Sequence, residues 1–349
     1  MLSKFAANSI MAKAHALYGR KLTSKNYSDL LACKSVGEAA SYLKTRTAYA
    51  EVMENCAAAS LHRTQLETIL KQRVFNQCIS LCRYEMSIGQ DFYKYFMIQG
   101  DIEQIITCLR LLSSSDPHDS LMIVPDFFNQ HTEIDLYALA SAKNMKGVLE
   151  ALNGSPYRAV IEPYFTEDID NISITQIETA LEEYMYSEIE KLIVSSFPKK
   201  TGEEIMDFFK ARADLLYIVR LYRIKKFYKN NDNIFWAMHA EHKYSLLSKR
   251  VLDEMKNAKT CDELMAVVDK SLYGSDFRRF EFKYIEDCVQ RVAFYRSLRN
   301  FRYSTNPYLI MLCYVYLAET ELDNVIHIIE GIRYDVPREE IASLLVGAD

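Results

Sequence analysis

The stretch KTCDELMAVVDKSLY, Lys259 to Tyr273, decides how this chain reads, because it recurs in altered form at two other places. The other copies are KSVGEAASYLKTRTAY, Lys34 to Tyr49, and KNMKGVLEALNGSPY, Lys143 to Tyr157. In each copy a Lys precedes Ser, Asn or Thr. An aliphatic residue (Leu43, Leu152, Val268) stands nine positions after the Lys, and a Tyr (Tyr49, Tyr157, Tyr273) stands 14 or 15 after it. Ser35 with Glu38, and Thr260 with Glu263, have capping-box spacing. The hydroxyl accepts a backbone N–H that the helix start leaves unpaired, and the Glu reaches back. The middle copy keeps an Asn cap, Asn144, but has Gly147 at the box position. Each copy therefore predicts a short capped helix.

A second marker follows each first one. It reads Asp101-Ile-Glu-Gln-Ile-Ile106, Asp214-Leu-Leu-Tyr-Ile-Val219 and Glu321-Leu-Asp-Asn-Val-Ile326. An acid opens each stretch, and aliphatics at +1, +4 and +5 form one face of a helix. The Lys markers are 109 and 116 residues apart and the acids 113 and 107. Two independent markers with one period predict a triplication. A unit of this length holds roughly six helices and a small core. It exceeds the roughly 33–47 residues of helical solenoid repeats. The expected domains are 1–118, 119–233 and 234–349. Polar breaks at Ser113-Ser-Ser-Asp-Pro-His118 and Lys229-Asn-Asn-Asp-Asn233 mark the boundaries.

Composition agrees with the helical reading. The 349 residues are 49% hydrophobic and include only 10 Gly and 7 Pro. Sheet folds with many turns need Gly, and long helices need its absence. The expected class is all-α. Further helix starts are read at Ser173-Ile-Thr-Gln176, Thr201-Gly-Glu-Glu204 and Asn306-Pro307. The longest uncharged apolar run, Tyr308 to Ala318, is too short to span a bilayer, which takes about 20 residues. The N-terminal MLSKFAANSIMAKAHALYGRKL interrupts its apolar residues with Lys4, Lys13 and Arg20, and reads as an amphipathic helix rather than a signal peptide.

Little in the sequence points to catalysis. Phosphate-loop, dinucleotide and nucleophile-elbow motifs are absent. Of the seven histidines only His239 and His242 are close, with helical spacing but no marked third ligand. Glu167-Asp168-Ile169-Asp170 lacks the spacing of a magnesium-diphosphate motif and reads as a solvated loop. The eight cysteines form no CxxC, and Cys78 and Cys82 lie one turn apart in an apolar stretch, as buried reduced thiols do. No catalytic, metal or cofactor site is expected.

The formal charge of −5 argues against a general nucleic-acid binder, but the charge is patterned. Nine acids and no Lys or Arg lie between Ala159 and Glu190, whereas Lys210 to Lys229 carries seven bases against Asp214 alone. Arg291, Arg296, Arg299 and Arg302 form a second basic stretch, interleaved with Tyr295, Phe301 and Tyr303. These blocks are either solvated helix faces that pair internally or polarised surfaces for partners. The partner reading selects Arg220, Arg223, Lys225, Lys226, Arg296 and Arg299 as interface candidates.

Over essentially its full length the chain resembles the central-stalk adaptor of rotary V-type ATPases and A-type ATP synthases, known as the C subunit in prokaryotes and the d subunit in eukaryotes. The resemblance is carried near the start by Ala12-Lys13-Ala14, Ala16-Leu17, Gly19-Arg20, Leu22, Tyr27, Leu30-Leu31, Val36, Ala40 and Tyr42-Leu43. Near the close it is carried by Pro307, Leu317, Glu321, Asn324, Ile328, Gly331, Arg333 and Pro337-Arg338-Glu339-Glu340-Ile341. His327 departs from it, near a place where the family often has a basic residue.

The resemblance implies a pseudo-threefold funnel of three similar helical domains without an active site. One end would sit on the cytoplasmic face of the proteolipid rotor ring, and the open mouth would receive the axle subunits, of D and F type. The part would be cytoplasmic and peripherally attached, passing rotation between axle and ring, with no nucleic acid or small-molecule substrate. Whether the machine moves protons or sodium is settled in the ring. The competing reading is a generic helical scaffold outside the rotary ATPases.

Overall fold

Several helix starts in this chain are set by side chains that satisfy the first free backbone N–H groups. In the computed structural model, which describes residues 2–58, 61, 63–86, 92–113, 132–165, 174–227 and 243–348, Ser35 Oγ accepts the N–H of Glu38 at 3.1 Å. Helix α3, Val36–Arg46, begins at the next residue. The Glu38 carboxylate reaches back to the N–H of Lys34 at 2.8 Å, one residue before the cap. Asn144 Oδ1 accepts the N–H of Gly147 at 2.9 Å and starts Met145–Ala151. The helix of the third copy, Cys261–Lys270, begins directly after Thr260. Asn306 accepts from Tyr308 and Leu309 ahead of Pro307–Arg333.

The read start at Thr201 is displaced, since that helix begins at Lys199 behind Pro198, whose carbonyl accepts the N–H of Gly202. The starts read at Ser173, the Glu167–Asp170 acids, His239, His242 and the two boundary loops after Ser113 lie outside the described residues.

The helices run α1 Leu2–Tyr18, α2 Ser24–Ala32, α3 Val36–Arg46, α4 Ala50–Met53, α5 Arg63–Met86 and α6 Lys94–Ser113. They continue with α7 Leu136–Ala140, α8 Met145–Ala151, α9 Pro156–Ile161, α10 Ile174–Ser196 and α11 Lys199–Phe227. The last are α12 Lys249–Asn257, α13 Cys261–Lys270, α14 Gly274–Phe277, α15 Ile285–Tyr303, α16 Pro307–Arg333 and α17 Arg338–Leu344. No strand occurs among the described residues, and the chain is all-α. One order of elements recurs: a short helix, a capped helix, a very short helix, then two long ones. No helix among the described residues is long and apolar enough to cross a membrane.

Two units are separable by their internal contacts. One comprises Met1–Gly89, Asp214–Tyr222 and Asp262–Asp349. Its core is built on α16, which packs against α1, α5, α15 and α17. Tyr308 to Val315 are all buried, so the first two turns of α16 are apolar around their whole circumference, as an interior helix is. The uncharged run in the sequence is this buried helix. Gly331 allows α17 to dock, since a Cβ there would lie 2.4 Å from Ile341 Cδ1.

The other unit comprises Gln90–Ala213 and Arg223–Cys261. In it α6 packs on α10 and α7, and α9 on α10. Phe92 meets Tyr95 and Phe197 with ring centroids 4.9 and 5.1 Å apart, and Tyr95 meets Phe209 edge-on.

Gly274 marks the tightest backbone approach. A Cβ there would come within 1.9 Å of the Asp269 carbonyl oxygen, which is main chain and cannot swing aside. Gly274→Ala is expected to cost about 1–3 kcal/mol or more by overpacking. Denaturant unfolding of the two proteins side by side measures it, and an unchanged midpoint would contradict the assigned role.

Candidate functional site

The two sequence markers meet in space. Tyr49, Tyr157 and Tyr273 stand where the very short helices α4, α9 and α14 begin, and all three are almost fully buried. Their aliphatic companions Leu43, Leu152 and Val268 are fully buried as well. The acids do not open helices. Asp101, Asp214 and Glu321 lie well inside α6, α11 and α16, with Ile102, Leu215 and Leu322 beside them in the core. A buried carboxylate needs donors, and each tyrosine supplies one. Tyr157 donates to Asp101 Oδ2 at 2.9 Å, Tyr273 to Asp214 Oδ2 at 2.7 Å, and Tyr49 to Glu321 Oε1 at 3.0 Å.

The pairing is offset by one copy. The acid of the first copy takes the tyrosine of the second, the acid of the second takes that of the third, and the acid of the third takes that of the first. Sequence reading found both markers but kept them apart, because partners belong to different copies.

The surroundings of the pairs differ in charge. The Arg73 guanidinium lies 4.1 Å from the Tyr49 ring centre and 3.5 Å from Glu321 Oε1. Arg296 lies 5.0 Å from the Tyr273 ring and pairs with Asp276 at 2.6 Å. In the middle pair the ring against Tyr157 is Tyr184, edge-on at 5.6 Å. Burial raises the pKa of Glu321, opposed by the N–H of Leu22, the Arg73 charge and the Tyr49 hydroxyl. Asp101 is pushed up to about 6 by burial, against the hydroxyls of Thr132 and Tyr157. Burial also raises all three tyrosines, and the neighbouring carboxylate adds to this.

Glu321 is the centre of a larger knot. Its Oε2 accepts the N–H of Leu22 at 2.7 Å. One turn on, Asn324 donates to the Val346 carbonyl at 2.8 Å, accepts the Val346 N–H at 2.9 Å and donates to the Tyr27 hydroxyl at 3.3 Å. A cavity of about 30 Å³ lies beside Arg73, Tyr314 and Asn324. That is room for a water molecule, and the buried Arg73 Nε makes no hydrogen bond. Leu22, Tyr27, Glu321, Asn324, Gly331 and Ile341, all among the residues of the resemblance, thus hold the first and last segments together. His327, the departure, lies close to Asp287. Burial raises the Asp287 pKa, with Arg291 and His327 opposing.

The interface candidates separate into groups. Arg223 and Lys226 are exposed and Arg220 is half-buried. Lys225 does not share that surface: it is buried, and its ammonium donates to the Lys256 and Ala258 carbonyls at 3.0 and 2.7 Å, capping α12. Arg296 and Arg299 are brought together with Arg279 and Arg302 around a groove of about 130 Å³. Several acids of the 159–190 block are paired, Glu178 with Arg110, Glu188 with Lys191 and Glu190 with Lys243.

Among the described residues no group of three His, Cys, Asp or Glu side chains is placed to hold a metal ion. Burial pushes the thiol of Cys108 up to about 11 and that of Cys288 to about 12, far from nucleophilic at neutral pH. Cys78 and Cys82 are buried, as read.

These geometries describe a helical protein with buried acid–tyrosine pairs, and comparison with known proteins gives its family. The family model for the ATP synthase (C/AC39) subunit matches residues 10–344, and the chain belongs to that family. It is similar to the C subunit of the A-type ATP synthase of Thermococcus kodakarensis, 22% identical over 216 residues, covering 61% of this chain and 56% of that protein. It is also similar to the C subunit of the A-type ATP synthase of Methanosphaera stadtmanae, 22% identical over 268 residues, covering 76% of this chain and 66% of that protein. The matched part thus spans little more than half of the first relative and just under two thirds of the second.

Two outcomes follow for the buried pairs. Glu321→Ala leaves the Leu22 N–H, the Tyr49 hydroxyl and the Arg73 charge without their acceptor, which is expected to cost about 3–5 kcal/mol in chemical denaturation. A loss below about 1 kcal/mol, as at an exposed pair, would refute the central role.

The second concerns Asp101. Its folded-state pKa of about 6 lies above the ordinary 3.8, so the folded chain takes up the proton first as the pH falls. Acidification from about pH 7 to about pH 5 therefore relieves a penalty on the folded state, and this contribution to stability increases. Asp101→Asn removes the titration. Its advantage in melting temperature over the natural chain is expected to shrink over that interval, and a pH-independent difference would refute the reading.

Proposed function

We propose that the chain is the non-catalytic central-stalk adaptor of a rotary V-type or A-type ATPase, coupling the rotating axle to the membrane proteolipid ring during ion transport. Membership of the family across residues 10–344 is the observation that carries this reading. The recurring markers support it. Each copy carries the same acid and tyrosine markers, as three similar domains, 1–118, 119–233 and 234–349, of the expected pseudo-threefold funnel would. Torque transmission requires parts that do not yield, and buried charge-assisted hydrogen bonds between segments far apart in sequence resist local opening.

The axle subunits, of D and F type, and the proteolipid ring are the proposed partners, and attachment to the membrane is peripheral and cytoplasmic through the complex. Arg220, Arg223 and Lys226 form one proposed contact group, and the groove around Arg296 and Arg299 a second. Lys225 acts behind the first group by fixing the end of α12.

The test is a pull-down of the tagged chain from detergent extracts with identification of its partners. Recovery of proteolipid and axle subunits is expected, with charge reversal at Arg220 and Arg223 reducing recovery and high salt weakening it. Recovery of unrelated proteins alone would overturn the assignment in favour of a scaffold elsewhere.

A further inference from the structure

The groove on α15 is lined by four arginines and a single carboxylate. Arg296, Arg299 and Arg302 follow one another at three-residue spacing on one helix, and Arg279 enters from the segment after α14. The one carboxylate in the lining, Asp276, is engaged by Arg296 at 2.6 Å, in a pair whose side chains are mostly buried. Three guanidinium charges are left facing the same small space. Arg279, Arg299 and Arg302 are exposed and form no ion pair among the described residues. This stands in a chain of net charge −5. Like charges gathered without a counter-charge are unfavourable unless a ligand supplies it.

The groove is also shaped. Arg279 lies 5.5 and 5.2 Å from the rings of Phe280 and Tyr295, which stack on each other. The cation–π attraction of the two rings holds the guanidinium without using its N–H groups, which stay available to donate. Arg296, held over Tyr273 and by Asp276, forms a fixed floor. Tyr303 is 79% exposed at the end of the groove and offers a hydroxyl.

We propose that this groove binds a phosphate group, with Arg279, Arg299 and Arg302 as ligands and Arg296 with Asp276 as its rigid base. Guanidinium forks match the paired oxygens of a phosphate, and three converging forks match a tetrahedral anion of multiple charge better than a single planar carboxylate. The volume of about 130 Å³ accommodates one or two phosphoryl groups with a few waters, and is far too small for a partner helix. The phosphate comes from a soluble phosphate compound or from the headgroup of an anionic phospholipid. The proposal refines the second contact group named above, yet its geometry is that of the isolated chain, so it stands or falls apart from the adaptor assignment.

The experiment uses the purified full chain at low ionic strength, where phosphate contacts are strongest. Inorganic phosphate and pyrophosphate are titrated by calorimetry. In parallel, co-sedimentation compares neutral phosphatidylcholine vesicles with vesicles containing phosphatidylglycerol. Saturable binding of pyrophosphate, or sedimentation with the anionic vesicles only, is expected; the first identifies a soluble source and the second a lipid. Arg299→Gln with Arg302→Gln should weaken either by at least about tenfold, one strong charged contact being worth that much. Lys146→Gln, on the exposed face of α8, should leave binding unchanged. Arg279→Gln is a second route should the double variant misfold. Absence of binding in both arms, equal binding by the arginine variants, or preference for polyglutamate over pyrophosphate would overturn the proposal.

Discussion

The structure depends on burying carboxylates without leaving them alone. An ionised carboxylate inside a helical core is tolerated only where donors converge on it, and here each of three receives a tyrosine hydroxyl. At Glu321 the convergence is greatest, with a backbone N–H, a hydroxyl and a guanidinium meeting one side chain. Each requirement then imposes others. The tyrosine must reach inward, so the very short helices α4, α9 and α14 must begin at the right depth. At α14 that depth requires Gly274, because the chain passes against the Asp269 carbonyl. The capped helices before them set the approach.

The three pairs are chemically unequal. Arg73 and Arg296 place a cation on the first and third tyrosines, whereas Tyr184 gives the second an aromatic edge. Aromatic contact stabilises a ring but does not neutralise its carboxylate partner. The middle pair, with Asp101 raised to about 6, is a place where the fold feels mild changes in acidity. The pair around Arg296 also links outward, since that guanidinium belongs to both the buried ring and the surface groove.

The scarcity of Gly and Pro, the caps at Ser35 and Asn144 and the spacing of the repeat made the helical class legible, because these are local signals. The face of each acid stretch was legible too: the +1 residues Ile102, Leu215 and Leu322 and the +4 residues Ile105, Ile218 and Val325 are all buried, and the +5 residues Ile106, Val219 and Ile326 are half-buried at its margin. That the acids lie deep within their helices and take tyrosine donors was not legible. Their companions lie 56, 59 and 272 residues away, beyond any local pattern. An acid and a tyrosine sharing one period were the available signal. Lys225 shows the same limit, since a run of bases does not disclose which member turns inward to cap a helix.

The bond between Tyr49 and Glu321 carries a consequence for how the chain is made. The first tyrosine leaves the ribosome long before its carboxylate, 272 residues later. At about 5–20 residues per second the wait is roughly 15–55 s. During that interval the Leu22 N–H and the Arg73 charge also lack their acceptor, so the opening segment exists only as an unfinished half of its unit. The middle segment is not under this constraint, because Asp101 and Tyr157 emerge almost together. Synthesis therefore supplies both members of the central pair well before those of the outermost one, and a chain truncated before Glu321 lacks the acceptor shared by Tyr49, the Leu22 N–H and Arg73.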